Sequence, residues 1–132
     1  MSGPAIEAVL WDNDGVLVDT EPLYLRANQE ILGRIGITLT EATYQDISLR
    51  QGGSVFALAE ERGHAREEID ALRAERDTRY AALIDGGIEV LAGVRSSLDT
   101  LHGRLPMAIV TSSRRDHFER IDRTTDLLSY FE

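Results

Sequence analysis

Trp11-Asp12-Asn13-Asp14-Gly15-Val16-Leu17-Val18-Asp19-Thr20-Glu21 decides the fold, because it sets two carboxylates one residue apart where the apolar segment Ile6 to Trp11 runs out. In an open α/β sheet the chain turns at the carboxyl end of a strand, and ligands bind in the crevice formed there. Asp12 and Asp14, at i and i+2, lean into one crevice from an extended or turning backbone. Gly15 lets the chain bend away without a Cβ clash. Two acids and a glycine at that point suit a divalent cation and a phosphate. The competing reading is a solvated turn, since Asp, Asn and Gly are ordinary turn residues; the apolar run ahead of them favours the crevice.

A second segment has the same design. Leu105-Pro106-Met107-Ala108-Ile109-Val110 is apolar and strand-like, and it stops abruptly at Thr111-Ser112-Ser113, where hydroxyls and free amides replace the apolar run. A helix following this triplet would add an N-terminal dipole end, a ready anion site. Together the two segments resemble the first two motifs of the haloacid dehalogenase superfamily, in the branch of β-phosphoglucomutase-like and phosphoglycolate-phosphatase-like enzymes. The resemblance covers nearly the whole chain, because the Asp-x-Asp-Gly core extends into Val16-Leu17-Val18-Asp19-Thr20-Glu21 and Ile109-Val110-Thr111-Ser112-Ser113 follows at a suitable distance. It implies an α/β fold: a Rossmann-like core of parallel strands with an inserted helical-bundle cap.

Composition sets the outer limits. At 132 residues, 42% apolar and 28% charged, the chain has room for about one ordinary globular domain. A formal charge of −9 argues against nucleic acid or an anionic membrane as a partner. It does not argue against a phosphorylated substrate, since a local cation and helix amides outweigh the global field at contact distance. The absence of cysteine excludes disulfides and thiol catalysis. No apolar stretch approaches the ~20 residues needed to span a bilayer and no signal peptide precedes Asp12, so a cytoplasmic location is expected. All 14 basic residues are arginine.

Between the motifs the chain reads as helices. Thr20 is placed to cap a helix entering through Glu21 and Pro22, with Tyr24, Ala27, Asn28, Ile31 and Ile35 at helical spacing. Thr40 caps a short second helix and Ser54 a third, through Val55, Phe56, Leu58 and Ala59 to Gly63. A fourth runs from about Ala65 to Gly86-Gly87, carrying Ile69, Leu72, Tyr80, Leu83 and Ile84. Residues 20–87 are thus expected to form the cap, and residues 1–19 with 88–132 the core. In the core, a helix with Leu98 and Leu101 returns the chain to the strand before Thr111. An amphipathic helix spans Arg114 to Leu128, with Phe118, Ile121, Leu127 and Leu128 as buried positions, and Ser129 to Glu132 resembles the approach to a third strand.

The resemblance also implies the chemistry. Asp12 would be the nucleophile that forms an aspartyl-phosphate, and Asp14 the acid that protonates the leaving alcohol and then activates water or a sugar hydroxyl. Mg²⁺ would bind an Asp12 oxygen and the backbone carbonyl of Asp14. Thr111 and Ser112, with Gly15 and Ser113 beside them, would hold the phosphoryl group. Arg50, next to Gln51-Gly52-Gly53, falls where such caps carry a substrate loop and could meet a second anionic group; a solvated arginine on a surface loop is the competing reading. The substrate would be a small phosphorylated metabolite. His64, His102 and His117 show no metal-ligand spacing.

Two features depart from the family pattern. The family completes its site with a lysine and a later acidic pair beyond the second motif, whereas this chain has no lysine and ends first. Only two strands of its sheet are recognisable, so the first would stand at an open edge. The expectation is therefore the N-terminal part of a cap-bearing phosphatase or phosphomutase, inactive or nearly so as these 132 residues. The alternatives are a non-catalytic remnant or binding module that keeps a phosphate and Mg²⁺ pocket, and self-association that covers the open sheet edge.

Overall fold

The computed structural model describes residues 3–131. The chain forms two compact units, one of Met1–Glu21 with Ile84–Glu132 and one of Pro22–Leu83.

The first unit is built around a parallel pair of strands, β1 (Val9–Trp11) and β2 (Met107–Ile109), in the register Val9↔Met107, Leu10↔Ala108 and Trp11↔Ile109. Hydrogen bonds from the Val9 amide to the Pro106 carbonyl (3.0 Å) and from the Val110 amide to the Trp11 carbonyl (2.8 Å) extend the ladder at both ends. The strands are shorter than the apolar runs that signalled them, and their two faces differ. Val9, Trp11, Met107 and Ile109 are half-buried, and the indole Nε1–H donates to the Met107 sulfur at 3.4 Å. On the opposite face Leu10 is 69% exposed and Val110 60%. Among the described residues this pair is the only sheet, so the runs have no further strand to pair with and adopt ladder geometry only where they meet each other.

Helix α5 (Val94–Leu101) crosses from the first motif to β2, burying Val94 and Leu98 on one face. Leu17, Val18, Ile121 and Leu127 are buried in the same unit. Helix α6 (Arg115–Thr125) begins just after the hydroxyl triplet. It stops three residues before the expected Leu128, for a local reason. Thr124 and Thr125 both donate their hydroxyls to the Ile121 carbonyl at 2.9 Å, a back-bonding that competes with helix propagation. Asp126 then turns left-handed at φ 56°, a region Asp tolerates better than most residues, and the Asp122 carboxylate accepts the Leu128 amide at 2.9 Å. Leu127–Phe131 follow as a 3-10 helix where the approach to a strand was expected.

The second unit holds most of α1 (Glu21–Arg34) and α4 (Arg66–Asp85), with α2 (Glu41–Tyr44) and α3 (Ala57–Glu61) between them. Thr40 caps α2 as expected, its hydroxyl accepting the Thr43 amide at 3.1 Å. Ser54 instead closes the turn before α3, accepting the Phe56 amide at 3.2 Å, so that the helix starts at Ala57. A π-helical turn, Gln45–Arg50, continues directly from α2 and has no counterpart in the sequence reading. Ile31, Leu32, Ile37, Leu39, Tyr44, Val55, Phe56, Ala59 and Ile69 form one apolar cluster there. Arg76 closes it: its guanidinium lies 5.0 Å from the Tyr24 ring centre and 5.2 Å from that of Phe56, and donates to the buried Asn28 Oδ1 at 2.9 Å.

Candidate active site

The site grows from the carboxyl ends of β1 and β2. Immediately after Trp11 the backbone curls: the Asn13 carbonyl accepts the amides of Val16, Leu17 and Val18 at 3.2, 2.9 and 3.3 Å. Gly15 sits inside this curl at φ 75°, a left-handed conformation that a side chain would strain, and its amide reaches the Val18 carbonyl at 2.9 Å. The curl leaves Asp12 exposed, with one oxygen accepting the Asn13 amide at 2.8 Å, and turns Asp14 half-buried toward β2.

Because Val110 still pairs with Trp11, the next residue of that strand emerges beside the curl. Thr111 donates to Asp14 Oδ2 at 3.4 Å, and the Ser113 hydroxyl donates to the same oxygen in a very close contact. The Ser113 amide in turn donates to Thr111 Oγ1 at 3.1 Å, which fixes the triplet's turn. Residues 97 and 99 apart in sequence therefore meet at one carboxylate oxygen.

The structure thus gathers Asp14, Thr111 and Ser113 side chain to side chain. Asp12 and Gly15 lie on the same curl, and Ser112 lies exposed between Thr111 and Ser113. Arg50 belongs to the second unit, where it is the exposed last residue of the π-helical turn. A cavity of about 410 Å³ in the first unit lies at the amino end of β2, against Pro106, Met107, Tyr130 and Phe131. It therefore opens away from the Asp14 end of the strand.

Two further features hold the curl. Leu17 accepts the Leu91 amide at 3.0 Å, and the Asp19 amide donates to the Glu89 carbonyl at 2.9 Å, so the segment leaving the curl is clamped to the segment that leads into α5. Asn13 is 2% exposed, and its side-chain Nδ2 has no hydrogen-bond partner among the described residues. Sequence reasoning passed over Asn13, although a polar residue between two functional acids alternates away from them, toward the interior, and so was a readable signal.

At the start of α6, burial pushes the Asp116 carboxyl up, but the charges and hydrogen bonds of His117 and Arg114 outweigh this and hold it below the ordinary range. Among the described residues no three His, Cys, Asp or Glu side chains converge as a metal cage. The oxygen donors present, two carboxylates on one curl, suit a cation such as Mg²⁺ that is held by one or two carboxylates and completed by water and substrate phosphate. Among the same residues no helix is long and apolar enough to cross a membrane.

The profile of the haloacid dehalogenase-like hydrolases matches residues 6–132. A phosphorylated carbohydrates phosphatase of Thermotoga maritima is 32% identical over 96% of this chain and 59% of its own length. Fructose-1-phosphate phosphatase YqaB of Escherichia coli is 28% identical over 94% and 65%. The crystal structure of CbbY from Rhodobacter sphaeroides in complex with phosphate superposes with a TM-score of 0.71 at 25% identity, over 91% of this chain and 57% of that one. The chain thus spans about three fifths of the length of such relatives. With the two motifs at adjacent strand ends and the family profile matching from Ile6 onward, the chain belongs to the haloacid dehalogenase-like hydrolases.

Proposed function

We propose that this chain carries the nucleophile half of a Mg²⁺-dependent phosphate-ester hydrolase or phosphotransferase acting on a small phosphorylated carbohydrate. The observation that carries the reading is the meeting of Asp14 with Thr111 and Ser113 at adjacent ends of parallel strands. The names of the two phosphatase relatives support the substrate class.

A phosphate ester resists attack because its anionic oxygens repel nucleophiles. The exposed Asp12 supplies a carboxylate oxygen that attacks phosphorus as the ester P–O bond breaks, giving an aspartyl-phosphate. Asp14 gives its proton to the departing alcohol oxygen. In the second half Asp14 takes a proton from water, or from a sugar hydroxyl in a mutase, as that oxygen attacks phosphorus and the bond to Asp12 breaks. The Thr111 hydroxyl, held by Asp14 only at 3.4 Å, is free to swing its donor onto the phosphoryl group, and the Ser112 amide adds a second donor. Members of the family generally use Mg²⁺; Asp12 and the Asp14 carbonyl would hold it, and it would neutralise phosphoryl charge. Residues 20–87 correspond to the cap in this reading. With no lysine in the chain, charge neutralisation is incomplete, and the 132 residues by themselves bind phosphate with weak turnover.

The test is phosphate release from a panel of sugar monophosphates in Mg²⁺, with p-nitrophenyl phosphate beside them. Asp12→Asn should abolish release from every ester, and Asp14→Asn should abolish turnover of every ester while leaving a single burst of p-nitrophenol from p-nitrophenyl phosphate, whose leaving group needs no proton. Release that survives Asp12→Asn would overturn the reading. A second reading, a phosphate-binding module that self-associates, is favoured by the bare apolar face of Leu10 and Val110, 69% and 60% exposed, with Ile6 ahead of β1 72% exposed. A dimer by light scattering that a charge at Leu10 dissociates would support it.

A further inference from the structure

The three hydroxyls of the Thr111-Ser112-Ser113 triplet do not stand in equivalent positions. Ser112 is exposed. Thr111 has its Oγ1 already accepting the Ser113 amide at 3.1 Å and touches Asp14 only at 3.4 Å, so its proton is loosely committed. Ser113 is different, because its hydroxyl donates at close range to Asp14 Oδ2, while its own amide is spent on Thr111. Its hydroxyl and its amide are therefore both engaged within the site. A hydroxyl has one proton to give, and a serine donating it to a carboxylate cannot also donate it to a phosphoryl oxygen.

From this asymmetry we infer that Ser113 is a positioning residue for Asp14 rather than a phosphate ligand. Its hydroxyl engages Oδ2 and leaves Oδ1 as the oxygen that exchanges the proton. This rests on the role proposed above for Asp14. A hydrogen bond at a half-buried carboxyl group is only partly screened by water, so the contact restrains its rotation. A carboxyl group has two chemically equal oxygens, and a proton delivered from the wrong one misses the leaving group. Engaging one of them removes that ambiguity. Thr111 is left for the phosphoryl group, so the two hydroxyls divide the labour that composition alone would assign to all three.

The test uses the 132-residue chain at pH 7 and two readouts. The first is the ¹³C carboxyl resonance of Asp14, assigned by its disappearance in Asp14→Asn. Ser113→Ala should move it more than any other aspartate resonance, and Ser113→Thr, which keeps the hydroxyl, should restore it. The second is the affinity for inorganic phosphate with Mg²⁺ present. Ser113→Ala should leave Kd within about twofold, whereas Thr111→Val should raise it about tenfold, the loss expected for one hydrogen bond to a charged group. A Ser113→Ala chain whose Kd rises as far as that of Thr111→Val makes Ser113 a phosphate ligand and overturns the inference. So does an Asp14 resonance that ignores the substitution. If the Asp14 resonance responds but the unsubstituted chain binds no phosphate, the underlying reading of the site has failed and the inference falls with it.

Discussion

Replacing Asn13 by leucine should make the first unit more stable. Asn13 is 2% exposed and its Nδ2 has no partner among the described residues, and an orphaned buried donor costs about 1–3 kcal/mol. Leucine keeps the same branched heavy-atom skeleton, removes that orphan and adds about 1.5–3 kcal/mol of apolar burial. Against this stands the greater bulk of two methyl groups, an overpacking cost of about 1–3 kcal/mol in a site that cannot expand freely. The balance is a gain of about 2 kcal/mol. In a unit of this size it corresponds to a rise in melting temperature of about 8–16 °C. Trp11, the chain's single tryptophan, lies in β1 two residues away, so its fluorescence reports this unit rather than the helical one. Urea unfolding at pH 7 followed at Trp11 should show a higher midpoint with an unchanged slope. A midpoint that stays or falls would refute the argument, because it would mean that the amide has a partner whose bond outweighs the gain. The Asn13 backbone carbonyl, which organises the curl, is untouched by the substitution.

Gly15→Ala should destabilise the same transition by about 1 kcal/mol, since the residue sits at φ 75° while an added Cβ would meet no atom within 4 Å, leaving backbone strain alone. In the helical unit, Arg76→Met should cost about 2–3 kcal/mol by far-UV circular dichroism, because it orphans Asn28 Oδ1 and removes the cation from the Tyr24 and Phe56 rings. A double-mutant cycle with Asn28→Leu should return much of that cost as coupling. Glu30 is held below its ordinary pKa of 4.5, chiefly by its hydrogen bond from Arg79, with Arg26 adding to the effect and burial opposing it. A depressed folded value stabilises above pH 4.5 and loses that contribution as pH falls through the folded pKa, so Glu30→Gln should be less stable than the unsubstituted chain at pH 7, with the deficit closing below pH 4.5.

Much of the architecture was legible because the chain punctuates itself. Thr40 announced its cap, Gly86-Gly87 closed α4, and Leu98 and Ile121, each read on the apolar face of its own helix, are buried, whereas Leu101 is only half-buried. Misreadings arose where a side chain competed with the backbone for a hydrogen bond. Ser54 closed a turn two residues before the Phe56 cap position, and the Thr124-Thr125 hydroxyls with Asp126 cut α6 short although Leu127 and Leu128 kept its periodicity. The π-helical turn ending at Arg50 carries no pattern that periodicity registers.

The sequence by itself determined the family, the two motifs and the carboxylates on which the proposed phosphate chemistry rests, because residue type and spacing along a single strand end are local properties. Tertiary structure alone decided which hydroxyl serves which partner. Ser112 and Ser113 are indistinguishable as letters, yet the parallel pairing of β2 against β1 brings Ser113 onto Asp14 and leaves Ser112 to solvent. It also decided that the buried Asn13 has an unmet donor among the described residues and that Arg76 lies against two rings. Such facts depend on atoms brought together from distant parts of the chain, and a hydrogen bond has an energy only once its partner is in place.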